Sequence, residues 1–254
     1  MLKRLENEDI SEVISFLGDD AVSVRIKAFI LTYKCDFNFI EYWAQFDENN
    51  AIIAVLMKNG GVCTLRFSDC ADTEEIVSLL RFIGFDSLFT YENSAATLGI
   101  IPAASGDILL FNKDLIGERE TESFTDMKKA FLMIKENEGE SVANLDYLEW
   151  LSDFTFKSNR GAARICVINE NSLPLSFAMT SGETEDAAII SGVFTDKKKR
   201  NQGLGETVLK SLTKDLVDEN KKVYIMTATE EMTRYYEKRG FRRIQRWCEI
   251  KGEI

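Results

Sequence analysis

AAIISGVFTDKKKRNQGLGETVLKSLTKDLV, residues 187–217, decides how the chain is read. Its opening run, Ala187 to Thr195, is apolar and rich in β-branched residues, which predicts a buried strand. A polar, basic turn follows: Asp196-Lys197-Lys198-Lys199-Arg200-Asn201-Gln202. Beyond Gly203 and Gly205, the residues Leu204, Val208, Leu209, Leu212 and Leu216 fall on one face of a helix. Strand, basic glycine loop and helix together offer backbone N–H groups and a positive helix end to a phosphate. Two common phosphate loops are excluded. A P-loop needs Lys-Ser/Thr directly after its second glycine, and Glu206-Thr207 follows Gly205. A dinucleotide fingerprint needs a third glycine three residues on, where Val208 stands.

Downstream, residues 222–229 read as a strand, residues 232–238 as a short helix and residues 243–250 as a final strand. The hexapeptide Arg200-Asn201-Gln202-Gly203-Leu204-Gly205 closely resembles the pyrophosphate-binding motif of the GNAT acetyltransferase superfamily, Arg/Gln-x-x-Gly-x-Gly/Ala. Tyr235-Tyr236-Glu237-Lys238-Arg239-Gly240-Phe241 resembles the same family's Leu-Tyr-Glu-Lys-Leu-Gly-Phe block. The resemblance is clear over residues 187–254 and extends back to Thr121.

The resemblance implies an α/β (α+β) fold, a mixed central β-sheet flanked by helices. It implies acetyl-CoA as co-substrate, held in a wedge where the fourth and fifth strands splay. The backbone of Val193 and Thr195 would hold the pantetheine arm. The N–H groups of Asn201, Gln202, Gly203, Leu204 and Gly205 would cradle the pyrophosphate, with Arg200 adding charge. Tyr236 matches the tyrosine that protonates the departing thiolate in many members, and Tyr235 beside it reads as a core residue. The implied reaction is direct transfer of the acetyl group to a primary amine, on a small molecule or a peptide. Physical chemistry agrees about the loop: glycine permits close backbone approach, and a helix N-terminus favours an anion. Lys197 to Lys199 either meet the coenzyme's outer phosphate or are simply solvated.

No base is evident. Residues 187–195 contain no carboxylate, and Glu183, Glu185, Asp186 and Glu230 around them read as surface charges. Cys166 reads as a core residue. A non-catalytic acyl-CoA sensor or interaction module is therefore the alternative to an acyltransferase. In a third reading, the acidic front of the chain recruits a basic protein or polyamine.

Composition narrows the field. The 254 residues carry a net charge of -11, which argues against a general nucleic-acid or anionic-membrane binder. Residues 1–120 hold 10 Lys+Arg and 20 Asp+Glu, whereas residues 121–254 hold 21 and 22, so an acidic front half joins a balanced back half. With no histidine, Ser-His and Cys-His triads and histidine metal sites are excluded. Five cysteines without a Cys-x-x-Cys indicate neither a disulfide framework nor a metal site. No signal-peptide core and no run of about 20 apolar residues is present, so a reducing cytoplasm is expected.

The front half predicts helices at 8–17, 22–33 and 73–83, the last capped by Thr73, and strands at 39–46, 51–58, 62–67, 86–91 and 107–112. That order matches the family's. Residues 1–118 are therefore either a degenerate GNAT-like copy or an unrelated, smaller α/β domain, joined to a GNAT domain at 119–254 through a linker at 115–125. The loop that would bind phosphate in the front half, Ser68-Asp69-Cys70-Ala71-Asp72, has no glycine and two acids. It predicts no coenzyme site there. The back half predicts helices at 126–137 and 145–156 and strands at 163–168 and 175–180 before the residues quoted at the outset.

Overall fold

The computed structural model describes residues 1–112, 121–142 and 144–252. The expected boundary at 118/119 lies outside the described residues. Packing divides the chain into two compact units, Met1–Leu110 with Met226–Ile254, and Phe111–Ile225.

The first unit begins with β1 (Leu2–Arg4), α1 (Ile10–Phe16) and α2 (Ala21–Tyr33). An antiparallel meander follows: β2 (Ile40–Phe46), β3 (Ile52–Asn59) and β4 (Val62–Phe67). Next come α3 (Thr73–Ile83), β5 (Ser87–Tyr91), α4 (Glu92–Thr97) and β6 (Ala104–Phe111). β1 and α4 escape the sequence reading, because three residues, or one turn and a half of helix, leave too little periodicity to detect. Carboxylate caps start the two long helices. Asp20 accepts from Ser23 N–H at 3.1 Å, and Asp72 accepts from Glu75 N–H at 3.0 Å. The cap of α3 is thus Asp72 and not Thr73, since the aspartate's extended backbone aims its carboxylate at the first turn.

The second unit contains α5 (Met127–Glu138), α6 (Tyr147–Ser158), β7 (Ile165–Glu170), β8 (Leu173–Glu183), β9 (Ala187–Thr195) and α7 (Leu204–Asp218). It ends within β10 (Lys222–Thr227). The strands run in the order β10-β9-β8-β7. β7, β8 and β9 are antiparallel, and β10 joins β9 in parallel. Period-2 alternation separates the two faces. Phe177 and Met179 of β8 join Ala130, Ile134 and Phe154 from α5 and α6 in one core. Cys166 of β7 faces the other way, with its sulfur 3.6 Å from Asp215 of α7.

α8 (Glu230–Glu237) and β11 (Phe241–Lys251) close the chain and belong to the first unit. β11 lies between β5 and β6 and pairs antiparallel with β5, Trp247 opposite Tyr91 and Ile250 opposite Leu88. Cys248 and Ile250 complete a core with Leu56, Leu65 and Leu80. The last strand of the sequence is therefore an inner strand of the sheet built by the first hundred residues. No periodicity in the sequence encodes that pairing.

Three of the five cysteines, Cys63, Cys166 and Cys248, are buried. Burial pushes the Cys63 thiol up to about 12. Among the described residues no helix is long and apolar enough to cross a membrane.

Candidate functional site

β9 and β10 stay paired only from Ala187/Lys222 to Ile190/Ile225, although β9 continues to Thr195. Beyond Ile190, among the described residues of the second unit, no strand pairs with this edge of β9. On its other edge β9 pairs with β8, continuously from Thr195 opposite Ser176 to Gly192 opposite Met179, before the register shifts at Thr180. Asp196 N–H donates to Leu175 C=O at 2.9 Å, which sets the alternation. Asp196 and Phe194 are bonded to β8, so the backbone groups of Thr195 and Val193 point away from it. Both residues thus turn N–H and C=O toward the open edge.

The loop that follows starts with a 3-10 turn, Lys197–Lys199, held by Asp196, whose carboxylate accepts from Lys198 N–H at 2.7 Å. Arg200 donates to Asn137 Oδ1 at the end of α5. Lys199 is 3.4 Å from Glu170, while Lys197 and Lys198 are exposed. Asn201 and Gly203 both adopt left-handed backbone, φ 61° and 81°. Gly203 is the N-cap of α7 and supplies no side-chain cap; a Cβ placed on it would meet open space. The first loop-to-helix bond is Thr207 N–H to Gly203 C=O at 3.0 Å. Among the described residues, the N–H groups of Asn201, Gln202, Gly203, Leu204 and Gly205 donate to no acceptor in the protein. Left-handed residues next to ordinary ones turn successive N–H groups inward, and the helix end adds positive potential. The result is an exposed concavity lined by backbone N–H groups.

The start of α3 in the front half carries a different set of hydrogen bonds. Asp72 places its carboxylate on the first turn of α3. Its own N–H donates to Gln45 Oε1 at 2.9 Å, and Gln45 Nε2 donates to Glu75 Oε2 at 2.6 Å. Glu75 also accepts from Leu2 N–H at 2.9 Å. The backbone of β1 and two acids thus meet at the start of α3.

Tyr236 lies in α8, in the first unit, and is buried against Phe241, ring centroids 5.8 Å apart. Tyr235, expected in the core, is instead 37% exposed, with the Arg239 guanidinium 3.6 Å from its ring centroid. The apolar face of α8 runs through Tyr236, so its neighbour turns outward. Val193, Thr195 and Arg200 to Gly205 thus share one unbroken stretch of the second unit, and Tyr236 belongs to the first.

The flanking acids divide. Glu183 is no surface charge: it is 2% exposed, and both its oxygens accept from Arg164 Nε, at 2.9 and 3.1 Å. Lys221 Nζ donates to Glu183 at 3.0 Å, and Thr180 adds a bond at 2.7 Å. Both oxygens of this carboxylate are thus engaged by Arg164, Lys221 and Thr180. Glu230 is exposed, and hydrogen bonds from Arg243 hold its carboxyl below the usual range. Among the described residues no group of three or more acidic or sulfur ligands could hold a metal.

A cavity of about 380 Å³ opens on the α5–α6 side of β9. Trp150, Phe154, Met179 and Phe194 give it apolar walls; Glu138, Asp153, Lys157 and Ser191 give it polar ones. Trp150 and Phe154 stack, 5.9 Å apart and 13° from parallel. Lys157 is buried and donates to Asp153 at 2.9 Å. In the sequence, only the helical spacing of Trp150, Asp153, Phe154 and Lys157 along one face of α6 hints at this group.

Residues 152–253 match the family model "Acetyltransferase (GNAT) domain". That stretch is a GNAT domain, and the part of the chain before it shares the fold of a tandem GNAT protein. Three solved structures share the fold over nearly the whole chain. A tandem GNAT protein from the clavulanic acid biosynthesis pathway is 13% identical, with TM-score 0.63, covering 98% of this chain and 97% of that one. A GCN5-related N-acetyltransferase from Sphaerobacter thermophilus is 11% identical, with TM-score 0.65, covering 98% and 94%. A GNAT-family acetyltransferase from Colwellia psychrerythraea is 10% identical, with TM-score 0.59, covering 100% of both. No curated protein matches the sequence. The likeness to these structures shows that the front half, too, has a GNAT-like fold.

Proposed function

We propose that this protein is an N-acyltransferase that moves an acetyl group from acetyl-CoA to a primary amine by direct attack. The observation that carries the reading is the Asn201–Gly205 cradle, with five undirected N–H groups at an uncapped helix end. Its anion is the pyrophosphate of the coenzyme, with Arg200 adding charge. The open backbone of Val193 and Thr195 suits a pantetheine arm, whose amides can bond there as an added strand would. The two copies in this proposal are residues 1–118 and 119–254, and only the second binds coenzyme.

When bound, the coenzyme supplies a thioester, an activated acyl group with a thiolate as leaving group. The chain holds that thioester against the amine, so proximity and orientation provide much of the rate. The amine nitrogen forms the new C–N bond as the C–S bond breaks. Tyr236 delivers its hydroxyl proton to sulfur, a role assigned from its place in the matched block. The amine's own proton leaves to solvent water, since β9 has no carboxylate and Glu183 is fully engaged, and water returns a proton to Tyr236 to restore its hydroxyl. The free thiols suit a reducing cytoplasm.

The lack of a carboxylate on β9 favours one second reading, an acyl-CoA sensor that binds without turnover. An acetylation assay over a panel of primary amines separates the two. Amine-dependent release of free thiol supports the enzyme; coenzyme binding with no release from any amine supports the sensor.

A further inference from the structure

Arg200 is the charged side chain nearest the row of free N–H groups, and a residue 63 positions earlier decides where its guanidinium points. Asn137 Oδ1 accepts from Arg200 Nη2. Asn137 lies in the last turn of α5, and its own Nδ2 donates to Met133 C=O at 2.8 Å, one turn back. That bond turns the amide so that its oxygen, the end that can accept, faces Arg200. Met133 is buried with Ala130 and Ile134, so the amide stands on a packed part of the helix. The C-terminal end of a helix also carries negative potential, which favours a guanidinium there.

The cation beside Arg200 is held in another way. Lys199 is 3.4 Å from the Glu170 carboxylate, an ion pair that offsets its charge. Asn137 has no charge, so it directs Arg200 without neutralising it. Glu136 and Glu138 stand on either side in the sequence, yet the residue that meets Arg200 is the neutral one. A guanidinium carries several N–H donors in a fixed fork, and Asn137 takes one of them. The remaining donors suit the paired oxygens of a phosphate.

We infer that Asn137 is a positioning residue for the coenzyme: it holds Arg200 in place, with its charge intact, before the pyrophosphate arrives. The inference rests on the acyltransferase reading above and adds α5 to the elements that set coenzyme affinity. Ordering a long side chain ahead of binding removes that cost from the binding step.

Calorimetric titration of acetyl-CoA into the full chain tests it with Asn137→Ala, Asn137→Asp, Arg200→Ala and the Asn137→Ala/Arg200→Ala double variant. Asn137→Ala is expected to raise Kd about three- to tenfold. The double variant should bind no more weakly than Arg200→Ala, since Asn137 acts only through Arg200. Asn137→Asp keeps the contact and cancels the charge. Its Kd should rise at least as far as that of Arg200→Ala, and its salt dependence should flatten to the same degree. Asn137→Ala should keep the wild-type salt dependence, a contrast that a merely structural role would not produce. Unchanged or tighter binding by Asn137→Ala, or losses that simply add in the double variant, overturns the proposal. Inorganic pyrophosphate is the second probe. If wild type binds pyrophosphate with the same pattern of variants but does not bind acetyl-CoA, only the acyltransferase reading falls. If wild type binds neither, both fall.

Discussion

Thr233 donates its hydroxyl hydrogen to Asp107 Oδ2 at 2.8 Å, across 126 residues of sequence. Both groups are buried. Thr233 has one proton and gives it to Asp107, so the 2.6 Å contact between Thr227 and Thr233 has Thr227 as donor. Arg243 and Arg246 reach Asp107 at 3.5 and 3.4 Å. Through this chain of bonds α8 and β11 are fastened to β6.

Thr233→Val keeps the shape and removes the donor. The loss leaves Asp107 one bond short and Thr227 without its acceptor, at a cost of about 1–3 kcal/mol. Urea unfolding monitored by Trp fluorescence reads this as a lower midpoint at unchanged slope. An unchanged midpoint would mean that the network contributes nothing to stability.

Gly106 sits one residue away and has no room for a side chain. A Cβ there would lie 2.0 Å from Thr227 C=O and 2.8 Å from the Trp247 ring, which itself donates to Thr227 C=O at 3.1 Å. Backbone cannot yield as a flexible side chain does, so Gly106→Ala is expected at the upper end of the overpacking range, about 1–3 kcal/mol. Thermal unfolding should show a lower Tm, and a wild-type Tm would contradict the close approach.

Acid should loosen the second unit. Hydrogen bonds from Arg164, then Lys221, hold the Glu219 carboxyl at about 2, well below its ordinary value of 4.5. A depressed folded value means that the pairing is fully present above pH 4.5 and is lost as pH falls toward 2. Glu219 is 41% exposed, so solvent screening keeps the contribution small. Glu219→Gln should flatten the fall in stability through that window, and a parallel pH profile in the variant would show the bridge to be inert.

Much of this was legible in the sequence. The apolar run over 187–195 and the face of Val208, Leu209, Leu212 and Leu216 fix β9 and α7, because strand and helix periods are local. Gly203 in an Arg-x-x-Gly-x-Gly setting marks the cradle for the same reason. What was not legible depends on long-range pairing. β11 reads as a strand, yet nothing in residues 241–251 says that Trp247 will face Tyr91 and not a neighbour from its own half. Burial of Glu183 was equally hidden, since its partners Arg164 and Lys221 are 19 and 38 residues away.

Tyr236→Phe tests the proposed acid. If the hydroxyl protonates the thiolate, kcat falls by about 10²-fold or more while acetyl-CoA affinity stays. Full turnover by the variant would leave Tyr236 a packing residue against Phe241.

Calorimetric titration of acetyl-CoA into wild type and Gly203→Asp reaches the central claim most directly. Aspartate at this position strains a backbone held at φ 81° and sets a carboxylate at the mouth of the cradle, as Asp72 does in the front half. The account predicts saturable binding of one coenzyme per wild-type chain and loss of that binding in the variant. No binding by wild type, or equal binding by both proteins, would contradict it.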